Sequence, residues 1–137
     1  MRSLIIDTGV LTLFFAGDAR VRPHFDSIED GKARGYITSV NLSEFYYKTC
    51  QKLGSDTAEL RYHQARAALT TVETDEDLAL LAGAEKCRRS ILSLADCFAL
   101  ALTKRFRATL LTTDSELAKV KEVDVKLLSL SPGAGGR

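Results

Sequence analysis

Short apolar, β-branched runs alternate with helix-length segments along the whole chain, and no other feature constrains its fold so tightly. Residues 3–6 (SLII), 36–39 (YITS), 70–73 (TTVE), 108–112 (ATLLT) and 125–129 (VKLLS) have the length and composition of strands. Strands separated by helices pair in parallel through right-handed crossovers, and parallel sheets are covered on both faces. The expected architecture is therefore α/β, a three-layer domain with a central parallel β-sheet flanked by helices. A chain of 137 residues fits one such domain. No internal repeat or linker interrupts residues 1–130, whereas the tail 131–137 (SPGAGGR) has no core-forming residue and is expected to be disordered.

The intervening segments carry helix signals. Residues 8–15 place Val10, Leu11, Phe14 and Phe15 on one face, and a second helix is expected over about 19–32, with Val21, Phe25 and Ile28 inward and Pro23 in its first turn. Asn41 to Glu44 reads as a helix start, with the spacing of a capping box, and the helix runs to about residue 53. Gly54-Ser55-Asp56 separates it from a helix over about 57–69. The acidic stretch 74–77 opens a helix ending near Arg89, with Leu78, Leu81 and Ala82 inward. Ser93 caps the next helix, which Leu94, Phe98, Leu102 and Phe106 line on one side, and Asp114 starts a short helix through Lys119.

Composition excludes some classes. Nineteen Lys and Arg against 18 Asp and Glu leave a net charge of +1, which argues neither for nor against a nucleic-acid partner. Two local clusters, Lys86/Arg88/Arg89 and Lys104/Arg105/Arg107, would suit a phosphate backbone, or equally the C-terminal ends of solvated helices. Cys50, Cys87 and Cys97 are odd in number and lack CxxC spacing or partner histidines, so neither a disulfide framework nor a zinc site is expected. Cys97 reads as a small buried apolar residue, and His24 and His63 as isolated surface or partly buried side chains. Asp7 interrupts the N-terminal apolar run, so neither a signal peptide nor a membrane span is expected, and a reducing cytoplasm is the natural setting.

Four carboxylates stand where strands end or helices begin. Asp7 closes LIID, Glu44 follows GYITSVNLS, Asp96 opens LADCFALALTKRF, and Asp114 closes ATLLTTD. Each has a purely structural explanation as a helix cap or part of one. Asp7 and Asp96 are, however, embedded in core-facing sequence with no Lys or Arg close by, and an uncompensated carboxylate is costly there. In a parallel α/β sheet, chemistry gathers beyond the carboxyl ends of the strands. Brought together there, the four acids would form an oxygen-rich anionic pocket suited to Mg²⁺ or Mn²⁺, with hydrogen bonds from helix N-termini as a second means of compensation.

At these residues the chain resembles the PIN-domain ribonucleases, particularly the VapC-type toxins of toxin–antitoxin pairs. The resemblance rests on Asp7-Thr8 in LIIDTGVL, Glu44 in SVNLSE, Asp96 in SLADCFALA and Asp114 in Thr112-Thr113-Asp114, in order across nearly the whole chain. It implies Mg²⁺- or Mn²⁺-dependent cleavage of RNA, leaving a 5′-phosphate and a 3′-hydroxyl. It implies that Asp7, Glu44, Asp96 and Asp114 act as metal ligands and catalytic residues, and that Thr8 and Thr112 orient a carboxylate or water through their hydroxyls. A cognate antitoxin that occludes the acids and a homodimer are further implications. Cys97 departs from the small residue the family often carries there, and Arg88 and Arg89 lie some distance upstream of the third motif. Both departures concern substrate contacts, because neither removes a carboxylate.

A phosphotransfer protein with an aspartate after its first strand would need a second acid beside it, and positions 6, 8 and 9 are Ile, Thr and Gly. The alternative that remains is a non-catalytic PIN-like module that holds RNA or protein.

Overall fold

The structure is a computed structural model, described for residues 1–130; the tail 131–137 lies outside the described residues. Five strands form one parallel sheet: β1 (Arg2–Ile6), β2 (Ala33–Thr38), β3 (Thr70–Val72), β4 (Thr109–Thr112) and β5 (Asp124–Leu127), in the spatial order β3-β2-β1-β4-β5. The helices are α1 (Thr8–Phe15), α2 (Arg22–Glu29), α3 (Ser39–Leu53), α4 (Ser55–Ala68), α5 (Glu76–Arg88) and α6 (Leu94–Phe106). The three-layer α/β expectation is met.

Side-chain alternation along the strands divides the interior in two. Leu4 and Ile6 of β1, Ile37 of β2 and Leu111 of β4 face one core with Val10, Leu11, Phe25, Leu42 and Phe45. Ile5 and Leu110 face the other, built largely from α5 and α6. Helix α6 lies so deep that every residue from Ala95 to Thr103 is buried, Cys97 among them. Its solvent-facing residues are confined to its ends, at Leu94 and from Lys104 onward.

Several boundaries differ from the sequence expectation, each for a local reason. Residues 19–21 form a turn rather than the start of α2, because the Asp18 carboxylate accepts from the Arg20 backbone N–H at 2.8 Å and pairs with its guanidinium. Strand β2 begins earlier, at Ala33, and Ser39 joins the helix instead. The cap of α3 is Thr38, whose hydroxyl accepts from the Asn41 N–H at 3.0 Å, so Asn41 and Glu44 form no capping box. Beyond β4 only a 3₁₀ turn forms, at Leu117–Lys119, and β5 ends at Leu127. Leu81 and Leu94 are exposed (45% and 52%) rather than inward, since the buried stripe of α5 runs through Leu78, Ala82 and Glu85, and Leu94 is the first residue of α6.

The sheet order sets the site. Strands β1, β2 and β3 progress outward on one side, and the chain then crosses back to place β4 on the other side of β1. The carboxyl ends of β1 and β4 thus border a topological switch point, where parallel α/β sheets open a crevice.

Candidate active site

Asp7 leaves β1 and caps α1 at the mouth of that crevice. Its side chain is 3% exposed, and its oxygens are held by the protein. Oδ1 accepts from the Thr8 N–H at 2.8 Å and from the Asn41 amide at 3.3 Å, and Oδ2 accepts from the Thr112 hydroxyl at 2.6 Å. A carboxylate has about four acceptor positions, so the position left vacant is on Oδ2.

Thr112 is fully buried, and its hydroxyl also accepts from the Asp114 N–H at 3.0 Å. With the lone pair so engaged, the hydroxyl proton is directed at Asp7. One threonine at the end of β4 therefore couples the first and last acids. Asp114 itself accepts from the N–H groups of Glu116 and Leu117 at 2.8 and 3.0 Å, which satisfies the capping explanation without removing it from the crevice. Gly9 permits the close approach of this segment to α1: a Cβ there would lie 2.0 Å from the Thr113 hydroxyl oxygen.

Asp96 sits in the first turn of α6, whose cap, Ser93, accepts from the Asp96 N–H at 3.1 Å, as the sequence indicates. Glu44 lies one turn further into α3 and pairs with Lys48 at 3.4 Å. All four acids, from four different segments, line one cavity of about 710 Å³.

The electrostatics follow from burial. Burial pushes the Asp7 carboxyl up to about 6, opposed by the Thr112 and Thr8 hydrogen bonds and reinforced by the charges of Glu44 and Asp114. Asp96 is pushed up to about 7, first by burial and then by the negative charges of Asp7 and Asp114. The crevice therefore resists full ionisation unless positive charge enters it. Among the described residues, no three or more His, Cys, Asp or Glu side chains are arranged as a ready-made metal cluster.

Asn41 is the organising residue that the capping-box reading obscured. It is fully buried, and its amide donates to Asp7, to the Thr8 hydroxyl at 3.4 Å and to the Ala95 carbonyl at 3.2 Å, while its own oxygen accepts from Thr38 at 2.5 Å. The Thr8 hydroxyl in turn donates to the Asn41 carbonyl at 3.0 Å. Helix α3 is thereby tied to the segments carrying Asp7 and Asp96. A polar residue one helical turn before Glu44 was the available signal.

Lys86, Arg88, Arg89, Lys104 and Arg105 of the two cationic clusters have structural partners. Glu85, 3% exposed, meets Arg88 at 3.2 Å, Arg89 at 3.4 Å and Lys104 at 2.7 Å, and Glu122 pairs with Arg89 and Lys104. Arg105 pairs with Asp75 at 3.1 Å, and Lys86 donates to the Ser90 and Leu92 carbonyls. Lys104 and Arg105 also stand some 12 Å or more along α6 from Asp96, at 1.5 Å per residue. Of the two readings the sequence leaves open for these clusters, a phosphate backbone or solvated helix ends, the second fits better, since most of the cations are paired at helix ends and neither cluster lines the cavity.

The PIN-domain family model matches residues 4–123. This chain belongs to the PIN-domain family. A comparison with curated protein sequences finds no match. Among solved structures, the VapBC complex of Rickettsia felis bound to a fragment of its promoter DNA is similar over 93% of this chain and 99% of that one, with a TM-score of 0.76 and 10% identity. A DNA-bound VapBC from Salmonella typhimurium is similar over 92% and 98%, with a TM-score of 0.75 and 14% identity. A VapC toxin of Mycobacterium tuberculosis that cleaves the sarcin–ricin loop is similar over 84% and 92%, with a TM-score of 0.68 and 16% identity. At these identities the likeness establishes the PIN fold.

Proposed function

We propose that this PIN-domain protein is a divalent-metal-dependent endoribonuclease and the toxin of a toxin–antitoxin pair. The observation that carries the proposal is the convergence of Asp7, Glu44, Asp96 and Asp114 on one cavity at the switch point of the sheet. The donors facing the cavity suit a hard cation: they include carboxylate and hydroxyl oxygens, whereas Cys97 of α6 is buried in the core. The elevated Asp7 and Asp96 carboxyls are a second sign of fit, since a bound cation would relieve the repulsion that raises them. Asp7 and Asp96 would hold the ion, with Glu44 and Asp114 completing its surroundings directly or through water. When bound, Mg²⁺ or Mn²⁺ supplies acidification of a water and neutralisation of charge on the phosphate.

The chain's own residues supply position. Thr8, Asn41 and Thr112 fix Asp7 in one orientation and leave an Oδ2 lone pair available. Asn41 sets the spacing between Asp7 and the first turn of α6, and hence Asp96. The N-terminal ends of α1 and α6 place partial positive charge beside these two acids, which favours their ionised forms once the cavity is occupied.

The toxin assignment is supported by likeness to the Rickettsia and Salmonella complexes. An antitoxin segment that presents Arg or Lys to the four carboxylates would inhibit by replacing the cation's charge with its own. No helix among the described residues is long and apolar enough to cross a membrane. The deciding experiment incubates a mixed small-RNA pool with and without Mg²⁺ or Mn²⁺, comparing the wild type with Asp7→Asn. Metal-dependent cutting that the variant loses is the expected result. A well-folded, antitoxin-free wild type that cuts nothing would instead favour the non-catalytic binding module.

A further inference from the structure

We infer that Lys52 and Arg61 form a phosphate-binding strip that guides a single-stranded RNA along α3 into the carboxylate cavity. The inference rests on the nuclease reading and adds a substrate-binding site to it. Both residues line the same cavity as the four acids. Glu44, Lys48 and Lys52 recur every four residues on α3 and so share one face, in steps of about 6 Å. That step is comparable to the distance between successive phosphates in an extended strand. Charge changes sign along the face: Glu44 belongs to the acidic centre, Lys48 pairs with it at 3.4 Å, and Lys52 makes no ion pair among the described residues. Lys52 stands roughly 12 Å along the helix from Glu44, beyond the ~8 Å screening length of physiological salt. Its ammonium is therefore not held in an ion pair with Glu44 and is available to an anion.

Arg61 reaches the cavity from α4. Gly54, at φ +90°, turns the chain between α3 and α4 and brings α4 back beside α3. The Arg61 guanidinium lies over the Phe15 ring, 5.5 Å from its centroid, and Phe15 in turn stacks on the buried Phe45. A cation–π contact uses none of the guanidinium's N–H donors in a hydrogen bond, so they remain able to grip phosphate oxygens. Like Lys52, it has no ion-pair partner among the described residues, in contrast to the Glu85 and Asp75 networks. A polyanion satisfies such a wall throughout: one phosphate enters the acidic centre with the cation, and its neighbours along the strand meet Lys52 and Arg61.

The test measures binding of a fluorescein-labelled oligouridylate to the full chain in EDTA, across a salt series, with cleavage of the same RNA in Mn²⁺ followed in parallel. Each phosphate neutralised on a single strand contributes about 0.7 to the slope of log K against log salt. Lys52→Gln/Arg61→Gln is expected to make the slope shallower by about 1.4, and Lys52→Arg/Arg61→Lys to restore it. Arg105→Gln/Arg107→Gln, at the far end of α6, is expected to leave it unchanged. If the wild type cuts RNA but the Gln pair binds it with an unaltered slope, the strip is refuted while the nuclease reading stands; the two cations would then serve a protein partner. If the wild type neither binds nor cuts, the nuclease reading fails and the strip with it.

Discussion

Asp7→Asn should make the metal-free protein more stable at neutral pH while removing its activity. The buried Asp7 carboxyl is raised from 3.8 to about 6, so the folded state holds this proton more tightly than the unfolded state. A folded-state value above the unfolded one means stability is greatest below about pH 4 and is lost as pH rises through 6. A shift of roughly two units corresponds to about 3 kcal/mol. Asparagine keeps the shape and the oxygen that accepts from Thr8, but it does not titrate. The stability difference between Asp7→Asn and wild type should therefore grow by about 2 kcal/mol between pH 4.5 and 7.5, the first third of the full change falling below that range. Removing the Asp7 charge also lessens the rise at Asp96, which acts in the same direction. Urea unfolding in EDTA at several pH values reads this growth directly, and comparing slopes against pH removes any constant cost of the amide. Two stability curves that stay parallel across this range would refute the account of the site as an anionic cavity strained by burial.

Further outcomes follow from the same geometry. Thr112→Val, isosteric but without the hydroxyl that links Asp7 to Asp114, should cost about 2–3 kcal/mol, since the lost bond is to a charged group; a chemical melt against Thr112→Ser, which keeps the hydroxyl, separates this from packing. Mg²⁺ or Mn²⁺ at millimolar concentration should raise the melting temperature at pH 8 and have little effect at pH 5, where Asp7 and Asp96 hold their protons; the measurement is a thermal scan at both pH values. Glu85→Ala should destabilise by about 1–3 kcal/mol, because Lys104 and Arg89 lose their buried partner but keep Glu122, yet leave RNA affinity per folded molecule unchanged, because that network lies outside the cavity. Gly9→Ala should lower activity more than stability by displacing Thr113 and with it the approach of Asp114, a difference seen by comparing cleavage rates with denaturation midpoints.

Much of this protein is written in local pattern. Periodicity and β-branching were enough to specify five strands and the parallel α/β class, because these follow from which side chains each element must hide, whereas α6 read as a helix with one apolar side and proved buried all round from Ala95 to Thr103. The positions of Asp7, Asp96 and Asp114 at element boundaries were likewise legible, since those boundaries are set by neighbouring residues, whereas Glu44 lies inside α3. Other features depend on which distant segments meet. Asn41 has the spacing of a cap, and only the packing of α3 against α1 and α6 turns it into the amide that joins Asp7 to Ala95. The Lys104/Arg105 cluster looks free in sequence, and tertiary structure commits it to Glu85, Glu122 and Asp75. Lys52 and Arg61 form no cluster in sequence, yet the turn at Gly54 places both on the cavity wall. Sequence by itself determined the elements and the acids at their ends, because hydrophobic period and capping act over a few residues. Tertiary structure alone decided which charges are paired and which face the cavity, because electrostatic partnership depends on distance in space.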